Sequence, residues 1–241
     1  METVDPYVQN GVAGTCGNLY LPLVGKLPRY PIPHFPVAPR GPLDLLDVGC
    51  GWGRWTIAAA RRGYLTVGVD PDAQAVEAAR RIATQVGVTS DFVVGDAADL
   101  PFEDATFDFV FSYSVLQHLP DEAVLAAFHE IRRVLRPGGR ALIELPNRFG
   151  LWNAVRRLRL PDAPMRYRTP AEMLELGRIV GASRLLADSF LSLNAQPADA
   201  DILPLSGRAV VLASRGLLRL ASVVRPARLL ADSLYVHADR L

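Results

Sequence analysis

Cys16 and Cys50 are the only cysteines in 241 residues. Two thiols cannot build a disulfide framework, so a hydrophobic core has to hold the fold. Lys26 is the only lysine among 26 basic residues. Histidine is also scarce, and no His/Cys/Asp grouping has metal-ligand spacing, so no metal is expected. No run of about eighteen uncharged apolar residues occurs, and no membrane-crossing helix is expected. The start, Met1-Glu-Thr-Val-Asp-Pro6, lacks the basic patch and apolar stretch of a signal peptide, which suits a cytoplasmic chain. A concentrated basic stripe is missing too. Residues 1–140 carry a net charge of −4 and residues 141–241 a net +5, for +1 overall. A nucleic-acid partner is therefore not expected.

Half of the residues are hydrophobic, enough for one domain of moderate size. Seven prolines between Pro22 and Pro42 mark residues 1–42 as an irregular, semi-rigid entry segment. From Leu43 to Leu145, short apolar runs alternate with helical patterns, which predicts an α/β fold with a parallel sheet covered on both faces. The first apolar run ends at Asp47-Val48. Glycines 49, 51 and 53 follow, and a helical pattern begins near Trp55. Such a turn lets backbone approach a ligand closely, because no Cβ intervenes. A dinucleotide fingerprint would need its third glycine where Arg54 stands. A second run, Leu65–Val69, ends in Asp70-Pro71 ahead of a helix predicted from Asp72 to Val86. Asp70 either caps that helix or faces a ligand beyond the strand ends, where open parallel sheets bind. Further strands are predicted at Phe92–Val94, Phe107–Ser112, Ala141–Leu145, within 183–192 and at Ser233–Ala238. Helices are predicted at Asp121–Leu135, stopped by Pro137-Gly138-Gly139, then at Asn147–Arg159, from the capping box Thr169-Pro170-Ala-Glu172 to Val180, and at Leu205–Val224. Residues 160–168 are predicted as a loop.

The blocks Asp47-x-Gly49-x-Gly51-x-Gly53, Gly95-Asp-Ala-x-x-Leu-Pro-Phe102, Phe107-Asp-x-Val110 and Leu135-Arg-Pro-Gly-Gly139 stand in a fixed order. Together they resemble the motifs of class I S-adenosylmethionine (SAM)-dependent methyltransferases, of the type 11/25-like branch with small-molecule acceptors. The resemblance implies a Rossmann-like, doubly wound seven-stranded sheet, mostly parallel, with an antiparallel last strand between the fifth and sixth. It divides the chain into an entry or lid segment, 1–42, and a methyltransferase domain, 43–241, with 147–182 as a substrate-side insertion. It implies SAM as cofactor. Asp47, Gly49, Cys50, Gly51, Gly53, Asp70 and Pro71 would help bind it, with the backbone around Gly49, Cys50 and Gly51 along its methionine part, Asp70 at the ribose, and Asp96 and the Ala97 N–H at the adenine. Ser112 and Gln117 would lie near the sulfonium.

The implied reaction is methyl transfer to a small or medium organic acceptor, at oxygen first, then carbon, then nitrogen. The alternative is a protein of this fold that binds SAM or a related ligand and catalyses another reaction, such as cyclisation. A nicotinamide oxidoreductase is disfavoured by the glycine spacing and by the missing Tyr-x-x-x-Lys pair. The Asn/Asp-Pro-Pro-Tyr motif of amino methylation is absent where Ser112-Tyr113-Ser114 stands. Should the acceptor need a base, His118 and His34 are the catalytic candidates, since an imidazole titrates near 6.5; His118 also suits a structural role in its loop. Tyr20, Tyr30, Phe35, Tyr113 and Trp152 are candidate pocket linings, and the nearby arginines 148, 156, 157, 159 and 166 suit an anionic or lipid- or glycan-linked acceptor. Cys50, Trp52 and Trp55 are expected to pack, and Asp99 and Asp104 to be solvated. Arg208, Arg215, Arg219, Arg225 and Arg228 fall in a stretch with no acid between Asp201 and Asp232. It is either a basic amphipathic helix that touches a membrane surface or, more simply, a helix covering the sheet.

Overall fold

A computed structural model describes residues 3–159, 165–191 and 197–241. Seven strands form one sheet: β1 (Asp44–Val48), β2 (Leu65–Asp70), β3 (Asp91–Val94), β4 (Phe107–Ser112), β5 (Leu135–Pro146), β6 (Ala182–Ser189) and β7 (Ser233–Asp239), in the order β3-β2-β1-β4-β5-β7-β6. Pairings among β1 to β5 are parallel, and β7 runs antiparallel between β5 and β6. This is the fold expected from the sequence. The chain direction across the sheet reverses between β1 and β4, and it is beyond the carboxyl ends of two such neighbours that sheets of this kind form a binding crevice.

Among the described residues, seven α-helices pack about the sheet: α1 (Pro6–Cys16), α2 (Arg54–Ala60), α3 (Ala73–Gln85), α4 (Asp121–Val134), α5 (Leu151–Arg159), α6 (Pro170–Val180) and α7 (Leu205–Val223). Alternation along the strands splits the core by face. Leu46, Val110, Ile143 and Val236 pack with α4 and α6 on one side. On the other, Leu45, Phe109, Phe111 and Leu142 meet Trp55 of α2 and Phe35. A third cluster joins α1, Tyr20, Tyr30 and Trp52 to α3.

Two local expectations are corrected. Residues 1–42 are not irregular throughout. Asp5 caps the Tyr7 N–H at 2.9 Å and Pro6 sits in the first turn, so the first helix is properly started. Val4, Val8, Val12 and Cys16, at four-residue spacing, are buried as its inner stripe. Gly11 and Gly14 had hidden that helix from a propensity argument. The Pro137-Gly138-Gly139 stop also falls within a strand. Helix α4 ends at Val134, and β5 starts at once with a register shift, from Leu135 opposite Phe107 to Arg140 opposite Phe109. Gly138 takes a φ of 80° inside that irregular stretch. The first five residues of the expected 160–168 loop lie outside the described residues, as does Ser192 at the end of the expected sixth strand.

A buried ion pair joins the distant segments. Arg54, directly after the glycine turn, is 4% exposed and donates from Nη2 to Asp199 Oδ2 at 3.0 Å. Its Nε donates to the Pro31 carbonyl at 2.8 Å, and the Tyr20 hydroxyl donates to the same Asp199 oxygen at 2.6 Å. Asp199→Ala strands a guanidinium in the core. We expect a loss of about 3–5 kcal/mol in urea unfolding, the range for breaking one half of a buried pair. A midpoint unchanged from wild type refutes this role.

Candidate active site

The glycine turn needs each glycine for a different reason. Gly49, Gly51 and Gly53 all have positive φ, at 77°, 50° and 83°. A side chain on Gly49 would collide with Val115, and one on Gly53 would press on Phe92 and Ala79. At Gly51 a Cβ would meet nothing within 4 Å. Gly51 therefore borders open space, and a glycine there keeps a cradle free. The turn is pinned from below: Gly49 and Cys50 N–H groups donate to the Val69 carbonyl at 2.8 and 3.0 Å.

Asp70 ends β2 beside this cradle. Its carboxylate accepts from the Gly51 N–H at 2.8 Å and from the Asp72 N–H at 3.0 Å. The helix cap is Asp72 instead, which accepts from the Gln74 N–H at 2.8 Å. Asp70 is thus oriented by two backbone donors, is only half-buried, and has lone pairs to spare. Pro71 lies before the cap and outside the helix. The Tyr7 hydroxyl donates to Asp72 at 3.0 Å, and burial, then the neighbouring Asp72 and Asp70, push its pKa up to about 12. Tyr7 places α1 along the cleft. Further along, exposed Asp96 follows β3 and accepts from the Ala98 N–H at 2.8 Å, next to buried Ala97.

Several candidates turn out to be supports. Asp47 is 1% exposed and accepts from the Thr56 hydroxyl at 2.7 Å, so it holds α2. Burial pushes its pKa up to about 7. The Ser112 hydroxyl donates to the Val48 carbonyl at 2.9 Å and ties β4 to β1. Cys50 packs against Gly68. Tyr20, Tyr30 and Phe35 are core side chains and no pocket lining. Tyr20 is held by Asp199; Tyr30 donates to Gln85 at 2.6 Å; Phe35 sits among Trp55, Tyr64, Phe109 and Phe111. Their aromatic character signalled packing and no more. His34 is exposed, away from these rings, and Trp152 is exposed on α5. Asp104 is exposed but paired with Arg133 at 2.9 Å.

The turn after β4 carries the remaining polar groups. Ser114 has a φ of 61°, and Val115 closes over Gly49. Gln117 Nε2 donates to Ser114 Oγ at 2.7 Å, while its buried Oε1 has no partner. An orphaned acceptor beside a glycine cradle fits a cationic ligand group such as the SAM ammonium. His118 ends the same turn at the surface, and partial burial of its ring lowers its pKa.

Behind this turn lies a group of residues that the sequence did not single out. Glu144, 2% exposed, accepts from the Ser114 N–H at 2.8 Å and from the Ser233 hydroxyl. Asp188 on β6 accepts from the Tyr113 hydroxyl at 2.8 Å, and Tyr235 stands next to Tyr113 with ring centroids 6.0 Å apart. Burial, then Asp188, raises Glu144 to about 8; burial raises Asp188 to about 6. Two carboxylates share one low-dielectric nest where the carboxyl ends of β4, β5 and β6 meet the start of β7. The available signal was a lone acid in the apolar run Ala141-Leu-Ile-Glu144-Leu; Asp188 lacked even that. Among the described residues, no cluster of metal-ligating side chains occurs.

Leu203 and Val211 pack with the α1–α3 cluster, whereas Leu217, Leu218 and Ala221 pack with the α4–α6 cluster. Midway, the Ser214 hydroxyl accepts from the Phe190 N–H at 3.0 Å, just past β6. The seventh helix therefore crosses the carboxyl edge of the sheet from one face to the other.

Residues 45–139 match the family model described as a methyltransferase domain. A 2-methyl-6-phytyl-1,4-hydroquinone methyltransferase of Synechocystis is 42% identical over 96 residues, covering 39% of this chain and 29% of that protein. The chain thus spans well under half the length of this curated relative. Among solved structures, a SAM-dependent methyltransferase from Methanosarcina mazei superposes with a TM-score of 0.59 at 18% identity, over 84% of this chain and 94% of that one. A magnesium protoporphyrin IX methyltransferase from Synechocystis, solved with S-adenosylhomocysteine bound, gives 0.57 at 18% identity over 83% and 75%. These structural likenesses speak to the fold.

Two expectations follow from the site. Asp70→Ala removes charge-assisted hydrogen bonds worth about 1.5–3 kcal/mol, so S-adenosylhomocysteine affinity in calorimetry should fall roughly ten- to hundredfold. Unchanged affinity in a folded variant would discard the ribose assignment. The second concerns pH. Asp47, Asp188 and Glu144 have folded pKa values above their ordinary ones, so the folded state holds extra protons. Their contribution to stability is full below about pH 4 and is lost as pH rises through about 6 to 8. Glu144→Gln should flatten the stability–pH curve by up to about 1.4 kcal/mol per pH unit, one proton's share, below pH 8. Parallel curves for the two proteins would contradict the buried-acid assignment.

Proposed function

Since this chain belongs to the class I SAM-dependent methyltransferase family, we propose that it transfers the methyl group of SAM to an oxygen of a small or medium organic acceptor. SAM, when bound, supplies a methyl activated on a sulfonium. In this reading Asp70 holds the ribose hydroxyls, Asp96 and the Ala97 N–H take the adenine edge, and the Gly49–Gly51 backbone lies along the methionine part. Gln117 Oε1 accepts from its ammonium. Tyr7 and α1 wall the ribose side, which is the role left to residues 1–42. The size class of acceptor follows from the relatives, whose names specify a hydroquinone and a porphyrin.

The observation that supports oxygen as the acceptor atom is the Tyr113–Asp188 hydrogen bond, 2.8 Å long, beside the turn after β4. A hydroxyl must lose its proton to become a good nucleophile. Tyr113 is itself only 6% exposed, so in this reading the acceptor hydroxyl reaches its oxygen through the turn after β4, and the Tyr113 proton passes to Asp188. Asp188, near 6, is ionised at neutral pH; Glu144, near 8, stays mostly protonated and does not compete. Two carboxyl groups thus divide the labour by environment. His118, half-exposed, is the other candidate base, and His34 lies in the proline-rich segment.

The test is release of S-adenosylhomocysteine with a panel of hydroxylated ring compounds. With a working acceptor, kcat should rise with pH through about 6, as Asp188 loses its proton. Asp188→Asn should cost about 10²–10⁴ in kcat and leave cofactor affinity unchanged. Should His118→Gln remove that limb and Asp188→Asn leave it, the base is the histidine. Turnover of SAM without S-adenosylhomocysteine release would favour a non-transfer reaction.

A further inference from the structure

Helix α7 buries Gly207, Val211, Ser214 and Ala221, packs Leu217 and Leu218 partly against the core, and turns its remaining side outward. Leu205, Leu212, Leu220 and Val223 on that outer side are 82%, 62%, 61% and 81% exposed. An ordinary sheet-covering helix has a polar outer side. Here the exposed leucines are interleaved with Arg208, Arg215 and Arg219, and no acid occurs between Asp201 and Asp232. No described helix is long and apolar enough to cross a membrane.

A second element with the same character is tied to the same edge of the sheet. The Asp232 carboxylate, at the start of β7, accepts from the Trp152 and Asn153 N–H groups at 2.7 and 2.9 Å, and from Leu191, just past β6, at 2.7 Å. It thereby anchors α5, which exposes Leu151, Trp152 and Leu158 and contains Arg156, Arg157 and Arg159 with no acid. The 3₁₀ turn Arg225–Leu230, which leads from α7 to Asp232, exposes Leu229 and Leu230.

We propose that α7, with the start of α5, docks on the surface of an anionic lipid bilayer. Leucines and Trp152 enter the interface and arginines meet the anionic headgroups, which is how amphipathic helices lie on membranes. The charge selects this occupant. A second copy of the chain would bring Arg215 and Arg219 against their like. The apolar side chains are spread over the length of a helix and form no pocket for a peptide. Because α7 crosses the carboxyl edge, docking turns the mouth of the crevice toward lipid, where an apolar acceptor would be found. The docking itself does not rest on methyl transfer.

The test is flotation of the full chain with phosphatidylcholine vesicles, with and without phosphatidylglycerol. Binding is expected with phosphatidylglycerol and weak without it, and should fall as salt is raised. Arg215→Gln/Arg219→Gln should lower partition about twenty-fivefold, at about fivefold per arginine. Leu212→Glu/Leu220→Glu should abolish it. Both pairs are exposed, and unchanged circular dichroism and S-adenosylhomocysteine affinity would show that the variants fold. The proposal is overturned if wild type stays with the unbound fraction, if neutral vesicles bind equally, or if neither variant changes binding. Light scattering that shows a dimer dissolved by Leu212→Glu/Leu220→Glu, with no vesicle binding, assigns the face to a second copy instead.

Discussion

Between residues 49 and 53 the backbone must turn from a strand into a helix with almost no room for side chains, and the surrounding structure is arranged about that restriction. The end of β2 supplies the Val69 carbonyl and the Asp70 carboxylate that hold the turn. Val115, from the turn after β4, fills the space that Gly49 leaves, and Phe92 of β3 fills that beside Gly53. Only Gly51 is left open. Four strands thus agree on one short loop, which explains how a sheet edge becomes a cradle without a dedicated domain. The large residues within and just after the glycine turn face the other way. Trp52 and Arg54 point into the N-terminal cluster, where the Trp52 indole N–H reaches Thr15 at 3.0 Å and Arg54 reaches Asp199. The turn therefore also anchors the segments that wall and roof the crevice.

The carboxyl edge of the sheet has an unusual share of buried acid. Asp47 and Glu144 are almost wholly enclosed, and Asp188 joins them across β7. Each is hydrogen-bonded, yet burial still lifts all three toward neutrality. An apolar core would be cheaper to fold. Such residues cluster where chemistry is done, since a carboxyl poised near neutral pH can move a proton that an ordinary one cannot. Asp199 is a contrasting case: it is buried as deeply, but with a guanidinium and a phenol against it, and its role is to join segments.

The outer side of that edge is shaped by a different balance. Helices α5 and α7 each use a narrow inner stripe to reach the sheet, through Asn153 on one and Val211, Ser214 and Ala221 on the other. What remains outside is apolar and cationic, on elements that Asp232 and Ser214 fasten to the crevice rim. Membrane-facing and site-forming surfaces are then two sides of the same helices.

Much of this could be read along the chain. The glycine spacing, the acid ending the second strand and the order of the later blocks carry local geometry, because a turn that needs positive φ needs glycine wherever it occurs. The sheet order followed, as did the capping box at Thr169. What escaped were the consequences of distance in sequence. Val4, Val8, Val12 and Cys16 make a helix only because a cluster of Tyr30, Trp52 and Ile82 waits to bury them. Tyr20 and Tyr30 could equally have lined a pocket, and burial decided otherwise. Glu144 and Asp188 lie 44 residues apart and become one proton-holding pair only when β7 is laid between their strands. The sequence by itself determined where the backbone must bend and which strand ends carry acids, since these are local demands on φ and on hydrogen bonding. Only the tertiary structure decided which polar side chains are dried out, which is the largest influence on their pKa, and which helix crosses the sheet edge, because both depend on what distant segments bring against them.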